Sequence, residues 1–232
     1  MKSLIFDAGP IISLATNNLL WLLEPLKKEF RGEFYITEAV KKEIVTRPLE
    51  SKKFKFEAIQ VERLIEDGAL KIIDNGYIRK QTPELLGIAN DIFEANSNCI
   101  KIVHFAEVSV IAAAFSSNAL AIVIDEKTTR LLLENPRVIA KVLERTLETG
   151  IKINEDNLKQ FKNASAGIKT IRSVELVTVA YEKKLLDRFI THIPNAKKNL
   201  LEGLLWGLKL NGCAVSRDEI SEILEIEASY GS

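Results

Sequence analysis

The chain has 232 residues, and its 32 Lys and Arg residues balance 32 Asp and Glu residues, so the formal net charge is zero. Because 47% of the residues are hydrophobic and the mean hydropathy is near zero, the composition excludes a disordered or collagen-like protein. It also excludes a globally basic nucleic-acid binder, although a local basic patch can still bind phosphate.

The N-terminal residues, the apolar runs and the cysteines indicate where in the cell the protein is expected. No uncharged apolar run reaches the length of a membrane span, and the first residues lack the apolar core of a signal peptide. The two cysteines are too few for a disulfide framework and show no metal-ligand spacing. We therefore expect a cytoplasmic protein without a membrane partner. The single Met and the abundance of Lys and Glu are typical of a thermophile.

Five short apolar runs predict strands, and they alternate with stretches of helical periodicity. In chain order the strands cover residues 4–6, 34–36, 70–73, 120–124 and 168–171, and the third run can also be read as a helix extension. Such alternation predicts a parallel sheet covered by helices, with ligands bound beyond the carboxyl ends of the strands. Asp7 and Asp125 each follow such an end.

Helical periodicity fills the intervals between these strands. In chain order the helices follow Gly9-Pro10 and then cover residues 38–45, 54–67, 83–95, 105–115, 126–133, 137–148, 154–162, 173–186, 194–210 and the segment after Ser216. Thr37 and Thr82 are the predicted N-caps of the helices at 38–45 and 83–95, and the first of these should end before Pro48. Ser216 and Glu219 predict a capping box.

Four acids stand out by their positions. Asp7 and Asp125 follow buried strands, Glu43 lies near the apolar side of its helix, and Glu107 begins an apolar helical stripe. Each also has a structural interpretation: a turn or cap for the two Asp residues, a solvated helix boundary for Glu43, and stabilisation by a helix dipole for Glu107. His104, between two apolar residues, is interpreted as structural.

Convergence of the four acids on one opening would create strong mutual repulsion at neutral pH, which a bound cation would relieve. Ligands that offer only oxygen suit Mg²⁺ or Mn²⁺. These ions activate water and stabilise a leaving oxygen in phosphodiester hydrolysis. The pattern therefore favours a nuclease.

The segments around these acids resemble the PIN domain family of metal-dependent ribonucleases. They read LIFDAGPIISL at 4–14, ITEAVKKEI at 36–44, EVSVIAAA at 107–114 and AIVIDE at 121–126. The resemblance covers residues 2–130 in order, with a return at 168–186. It implies a three-layer α/β/α fold, a divalent metal and endonucleolytic cleavage of RNA, with Asp7, Glu43, Glu107 and Asp125 as catalytic metal ligands and a metal-activated water as nucleophile.

The sequence departs from the family pattern at the third acid and at the fourth. The third acid is Glu rather than the Asp common in many members, and Asp125 is adjacent to Glu126, so either can be the fourth ligand. Asp125 is favoured because it ends the strand directly. Arg130, one turn further on, lies where relatives often have a basic residue and could contact a phosphate, or it could be an ordinary residue of a helix surface.

A basic stretch with interleaved Phe54 and Phe56 is the predicted RNA-contact surface. Its candidate residues are Lys41, Lys42, Lys52 and Lys53. The same run can equally be a solvated face. We expect a single domain over residues 1–232, with a helical insertion at 134–167 that forms an arm.

The alternatives concern activity and partners. A phosphatase of the haloacid-dehalogenase type is disfavoured, because Gly9 stands where that class has a second Asp. A catalytically weak PIN-like module that binds RNA or protein is the main alternative to a ribonuclease. A toxin with an antitoxin partner and an RNA-processing enzyme would share the same site, and the apolar residues at 199–210 could form a homodimer interface or belong to the core.

Overall fold

The structure, a computed structural model, describes residues 2–230 and contains two β-sheets. In chain order the strands are β1 (Ser3–Phe6), β2 (Glu33–Thr37), β3 (Lys71–Ile73), β4 (Phe93–Ala95), β5 (Asn98–Cys99), β6 (Ala121–Val123), β7 (Lys152–Ile153) and β8 (Thr170–Ile171). The larger sheet has the order β3-β2-β1-β6-β8, and all its neighbouring strands are parallel. The five predicted strands are the five members of this sheet.

Thirteen helices are assigned within residues 2–230, and short 3-10 turns cover Leu20–Leu22 and Asp187–Phe189. The helices are α1 (Ala8–Thr16), α2 (Leu23–Phe30), α3 (Glu38–Lys41), α4 (Arg47–Glu50), α5 (Lys55–Glu66), α6 (Gly76–Asn90), α7 (Phe105–Ser117), α8 (Lys127–Glu134), α9 (Pro136–Leu147), α10 (Glu155–Ala164), α11 (Ser173–Glu182), α12 (Ala196–Leu210) and α13 (Arg217–Tyr230). Within the described range, none of them combines the length and apolarity needed to cross a membrane.

Helices cover both faces of the larger sheet. Leu4 of β1 pairs with Phe34 of β2, and both line a cavity between the sheet and residues of α2 and α11. Because successive side chains of a strand point to opposite faces, Thr37 lies on the other face. There its hydroxyl is 2.7 Å from the Ser109 hydroxyl of α7, which packs across β1, β2 and β6. This arrangement confirms the predicted three-layer α/β/α fold.

The helix predicted at 38–45 continues further than expected. It passes from α3 through a π-helical segment, Lys42–Thr46, directly into α4, so the prediction that it ends before Pro48 is wrong. Pro48 is the second residue of α4, which directly follows the π-helical segment, where the regular α-helical hydrogen bonding is already interrupted. Thr37 caps the helix as predicted, since its hydroxyl accepts from Val40 N at 3.2 Å.

The helix predicted at 83–95 instead begins seven residues earlier, as α6, and residues 93–95 form β4. Asn75 is the actual N-cap and accepts a hydrogen bond from Ile78 N at 2.9 Å. Thr82 lies inside the helix, where its hydroxyl donates to Ile78 O at 2.6 Å. This local bond accompanies Pro83, which interrupts the backbone hydrogen bonding of the helix interior.

The segment 134–167 consists mainly of α9 and α10, as the predicted helical arm requires, and it also contributes the two-residue strand β7. β7 pairs antiparallel with β4, and β4 pairs with β5 in the smaller sheet. In the C-terminal region, the predicted capping box is confirmed, because Ser216 and Glu219 exchange hydrogen bonds of 2.8 and 3.0 Å. The apolar face of α12 belongs to the chain's own core through buried Leu201, Leu205 and Leu208.

Candidate active site

Asp7 connects the end of β1 to the start of α1. Its backbone N donates to Val123 O of β6 at 2.9 Å, and its Oδ2 accepts from Gly9 N at 3.5 Å as the cap of α1. The side chain is buried, and Oδ1 has no hydrogen-bond partner among residues 2–230. Burial raises the pKa of Asp7 to about 7, and the negative charge of Glu107 adds to this effect.

Glu107 and His104 form the first turn of α7. Glu107 Oε2 accepts from His104 N at 2.9 Å, and its Oε1 is 3.1 Å from His104 Nε2. The hydrogen bond to Glu107 raises the pKa of His104 to about 9, and the charges of Glu43 and Asp7 add to the rise. His104 is therefore an imidazolium at neutral pH, placed among three of the predicted acids.

The role of His104 differs from the structural one that the sequence favoured. Its side chain is half-exposed at the site rather than packed into the core. The available signal in the sequence was its position three residues before Glu107, at the start of the apolar helix. That spacing is the one at which two side chains of a helix terminus meet.

Glu43 reaches the same place from the π-helical segment. Its Oε1 is 3.8 Å from His104 Nδ1 and 3.9 Å from Arg47 Nη1, and the side chain is about one quarter exposed. Segments of π-helix are rare and occur often at functional sites. Because its residues carry no distinctive sequence pattern, this local geometry could not be predicted.

Asp125 lies beside Asp7 but has different surroundings. The two carboxyl side chains flank Gly9, whose ideal Cβ position is 3.5 Å from Asp125 Cβ and 3.7 Å from Asp7 Oδ2. Asp125 accepts three hydrogen bonds of 2.7 Å, from Ser13 Oγ, Ser173 N and Ser173 Oγ. These bonds join β6 to α1 and α11 through one buried carboxylate.

Residues near the C-terminus hold the backbone of Asp125 through a chain of hydrogen bonds. Ala214 N donates to Asp125 O at 3.0 Å, while Arg172 Nη1 donates to Ala214 O at 2.9 Å and to Glu219 Oε1 at 2.8 Å. Burial alone would lower the pKa of Arg172, but its bonds to Glu175 and Glu219 raise it instead. Residues of α11 and α13 thus help to fix the position of Asp125.

A protein-family model described as a PIN domain matches residues 3–141, which is more than half of the chain. The chain belongs to the PIN domain family. PIN domains are generally nucleases, act on RNA and typically use divalent metals. The match includes all four predicted acids and ends within α9. No curated protein and no solved structure matches the chain.

The remaining predicted acid of this PIN domain has a local structural role. Glu126 caps α8, because its Oε2 accepts from Thr129 N at 2.6 Å. Asp125 and Glu126 as metal ligands both stay predictions, and the hydrogen bonds of both carboxylates favour structural roles. Arg130 lies on α8, and its Nε is buried without a hydrogen-bond partner in the part of the chain that the structure describes.

The four predicted lysines occupy three different settings around the PIN domain site. Lys41 pairs with Glu62 of α5 at 3.0 Å, whereas Lys42 is exposed beside Glu43. Lys52 and Lys53 lie on the exposed loop between α4 and α5, and Lys53 Nζ is 4.7 Å from the ring centre of Phe54. Of the four, Lys42 therefore lies on the wall of the acid site itself.

The acids of the site offer the ligand atoms that a hard divalent cation prefers, but their spacing in this structure does not form a complete ion site. Asp7, Glu43 and Glu107 offer only carboxylate oxygens, and Asp7 Oδ1 is a buried polar atom that lacks a partner. With the side chains in their present positions, residues 2–230 contain no group of three or more Asp, Glu, His or Cys side chains that is arranged to hold an ion. His104 occupies Glu107 Oε1, so ligation by that oxygen requires loss of this hydrogen bond.

Proposed function

We propose that the chain is a divalent-metal-dependent endoribonuclease, with Asp7, Glu43 and Glu107 as the residues that would hold Mg²⁺ or Mn²⁺. Asp125 has a positioning role in this proposal. The chain's membership of a family that is generally nucleolytic supports the reaction class. The unpartnered oxygen of Asp7 supports the location of the centre.

The proposal rests chiefly on the environment of Asp7. A buried carboxyl group ordinarily has its oxygens hydrogen-bonded, since an unpaired polar atom costs about 1–3 kcal/mol. Asp7 keeps one oxygen unpaired and lies close enough to Glu107 for the charge of Glu107 to raise its pKa. A dication at this position would satisfy the oxygen and lower the pKa, whereas the structural role of Asp7 as the cap of α1 uses only Oδ2 and leaves Oδ1 unpaired.

Each residue then has a defined task. A bound dication would supply an activated water and stabilise charge at the phosphate. Asp7 and Glu107 would hold the ion from the end of β1 and the first turn of α7, and Glu43 would add a carboxylate from the π-helical segment. His104 donates to Glu107, and its positive charge offsets the negative charge of the acids. Lys42 and Arg47 are placed to attract the RNA phosphates.

The test compares cleavage of a labelled RNA with paired and unpaired segments in Mg²⁺, Mn²⁺ or EDTA. Wild type should cut only with metal, and Asp7→Asn should reduce cutting to background while the fold is retained. Asp156→Asn is the matched control, because Asp156 is an exposed residue of α10, and it should cut like wild type.

Metal binding is measured separately, through the electron paramagnetic resonance signal of free Mn²⁺. Asp7→Asn and Glu107→Gln should each weaken binding, whereas Asp156→Asn should not. Cutting that survives EDTA, or full activity of Asp7→Asn, would refute the proposed centre.

A second candidate function is an RNA-binding module without catalysis. It is favoured by the bonds that Glu107 makes as part of the helix cap and by the three hydrogen bonds that occupy Asp125. In the same experiment this module would bind the RNA in EDTA and in metal but leave it intact. An antitoxin and a second copy of the chain remain predicted partners, which co-expression with a neighbouring gene product and light scattering would test.

A further inference from the structure

A groove of about 530 Å³ opens beside the acid site, between the π-helical segment and the first turn of α7. Lys42, Glu43 and Arg47 line one wall, and Phe105 and Ala106 line the other. The volume lies within the range of roughly 300–1,000 Å³ typical of ligand sites. Because Glu43 belongs to both, the groove is continuous with the proposed metal centre.

Phe105 is an unusual residue for this position. It is the first residue of α7 and follows His104 directly, and its side chain is 49% exposed although Ala106 beside it is buried. A large aromatic ring that faces a groove offers a flat apolar surface to a ligand. Neither the helix cap nor the core uses this surface.

The opposite wall provides positive charge. Arg47 has a side chain that is 64% exposed, and its Nη1 is 3.9 Å from Glu43 Oε1, too far for a hydrogen bond. Lys42 is exposed on the preceding turn. Glu38 also lines the groove, so the wall is mixed in charge, but both cations have their charged groups accessible to solvent.

An aromatic ring opposite two cations matches the chemistry of a nucleotide. Its planar base can stack on a ring, and its phosphate attracts Arg and Lys. We propose that Phe105 is the stacking platform for the nucleobase next to the scissile phosphate, with Lys42 and Arg47 contacting the backbone. This inference rests on the proposed function and deepens it, because it names the position that selects the substrate.

The proposal has a consequence for the form of the substrate. A base can stack on Phe105 only when it has left its own duplex, since paired bases in an RNA helix are stacked on their neighbours. The nucleotide beside the cleaved bond is therefore unpaired. Paired RNA should gain nothing from Phe105.

The test measures binding in EDTA, so that metal-dependent cutting does not interfere. A short unpaired RNA is compared with the same RNA in a duplex, and a 2-aminopurine scanned along the unpaired strand reports stacking through its fluorescence. Phe105→Ala should weaken binding of the unpaired RNA by roughly 5- to 150-fold and abolish the fluorescence response at one position. Phe105→Trp should retain both.

Phe115→Ala is the matched control, because Phe115 lies on the same helix, is 42% exposed and faces Tyr77 rather than the groove. It should bind RNA like wild type. Equal binding by Phe105→Ala and Phe115→Ala, or an equal loss for duplex RNA, would overturn the inference. Cleavage by wild type in Mg²⁺ is scored separately, so failure of the proposed nuclease is distinguished from failure of the Phe105 platform.

Discussion

The ends of two neighbouring strands differ sharply although they look alike in the sequence. Asp7 after β1 and Asp125 after β6 are 4% and 2% exposed, and they flank the same glycine. Asp7 has one oxygen without a hydrogen-bond partner among residues 2–230, and its pKa is raised to about 7 by burial. Asp125 accepts three hydrogen bonds.

The difference shows that a strand followed by Asp does not by itself define a ligand. The partners of Asp125 are Ser13 and Ser173, which lie 112 and 48 residues away along the chain. Asp125 is therefore expected to stabilise the fold, whereas Asp7 is expected to reduce its stability and to remain available for a cation. Four changes test this contrast.

The largest expected effect is the loss of stability in Asp125→Ala. This change leaves the Ser173 N–H and two hydroxyls without their charged acceptor, and hydrogen bonds to a charged group contribute about 1.5–3 kcal/mol each. We expect the free energy of unfolding in urea to fall by about 5 kcal/mol, since the hydroxyls recover part of the loss. Asp156→Ala should change it by less than about 0.5 kcal/mol. If Asp125→Ala lost no more stability than Asp156→Ala, Asp125 would not stabilise the fold and its contrast with Asp7 would be wrong.

Asp7→Asn should instead raise the free energy of unfolding at neutral pH. The Asn side chain can still cap α1, but it carries no charge. In wild type the pKa of Asp7 is about 7 in the folded state against 3.8 for an ordinary Asp, so only the folded state keeps the proton in this window. Wild-type stability therefore falls as pH rises from 4 to 7.

In EDTA, the stability advantage of Asp7→Asn over wild type should widen by roughly 4 kcal/mol between pH 4 and pH 8. Chemical denaturation at several pH values measures this gap, with Asp156→Asn as control. A gap that stays constant with pH would show that burial does not disfavour the charged form of Asp7.

Arg172→Met tests the support of Asp125 by the C-terminal region. The change removes the cation that joins Glu175, Glu219 and Ala214 O while keeping much of the side-chain volume. Breaking a buried ion pair costs about 3 kcal/mol or more, but the side chains of Glu175 and Glu219 are 41% exposed, so solvent screening reduces the expected loss to about 2 kcal/mol. Urea unfolding should show this loss, and amide hydrogens of α13 should exchange faster. Unchanged exchange in α13 would mean that the helix is held by its apolar contacts alone.

The smallest effect is expected for Ser13→Ala, which removes one of the three hydrogen bonds to Asp125. The expected loss is about 1.5 kcal/mol in the free energy of unfolding. In the background of Asp125→Ala the same change should cost much less, because its acceptor is already absent. Equal costs in both backgrounds would indicate that the two side chains do not interact.

Much of the fold could be predicted from the sequence. All five strands of the larger sheet were predicted. The clearest are β1 and β6, which are buried along their whole length and leave continuous apolar runs, whereas β3 and β8 at the sheet edges are only partly buried. The smaller sheet was missed because residues 93–95 were assigned to the helix predicted at 83–95, which left β5 and β7 without a partner strand. The start of α6 was missed because Asn75-Gly76 reads as a turn and Pro83 reads as a helix start.

The site was predictable only in part. The positions of Asp7, Glu43 and Glu107 beside apolar patterns identified the acids, since an acid in such a place needs a partner. Their surroundings depend on long-range contacts and local backbone geometry. The hydrogen bonds from Ser13 and Ser173 to Asp125 cannot be read from the sequence, because these residues are far apart along the chain. The π-helical segment that contains Glu43 also has no recognisable sequence pattern.

The π-helical segment Lys42–Thr46 also determines how the chain tolerates changes in length. A π-turn accommodates one residue more than an α-helical turn does, so deletion of a single residue there would restore regular α-helix. Because the π-turn already absorbs the extra residue, the helical residues on either side of the deletion would keep their orientation. The change would be confined to the turn that carries Glu43. A length change that the fold could absorb would therefore alter the acid site without disturbing the helices around it.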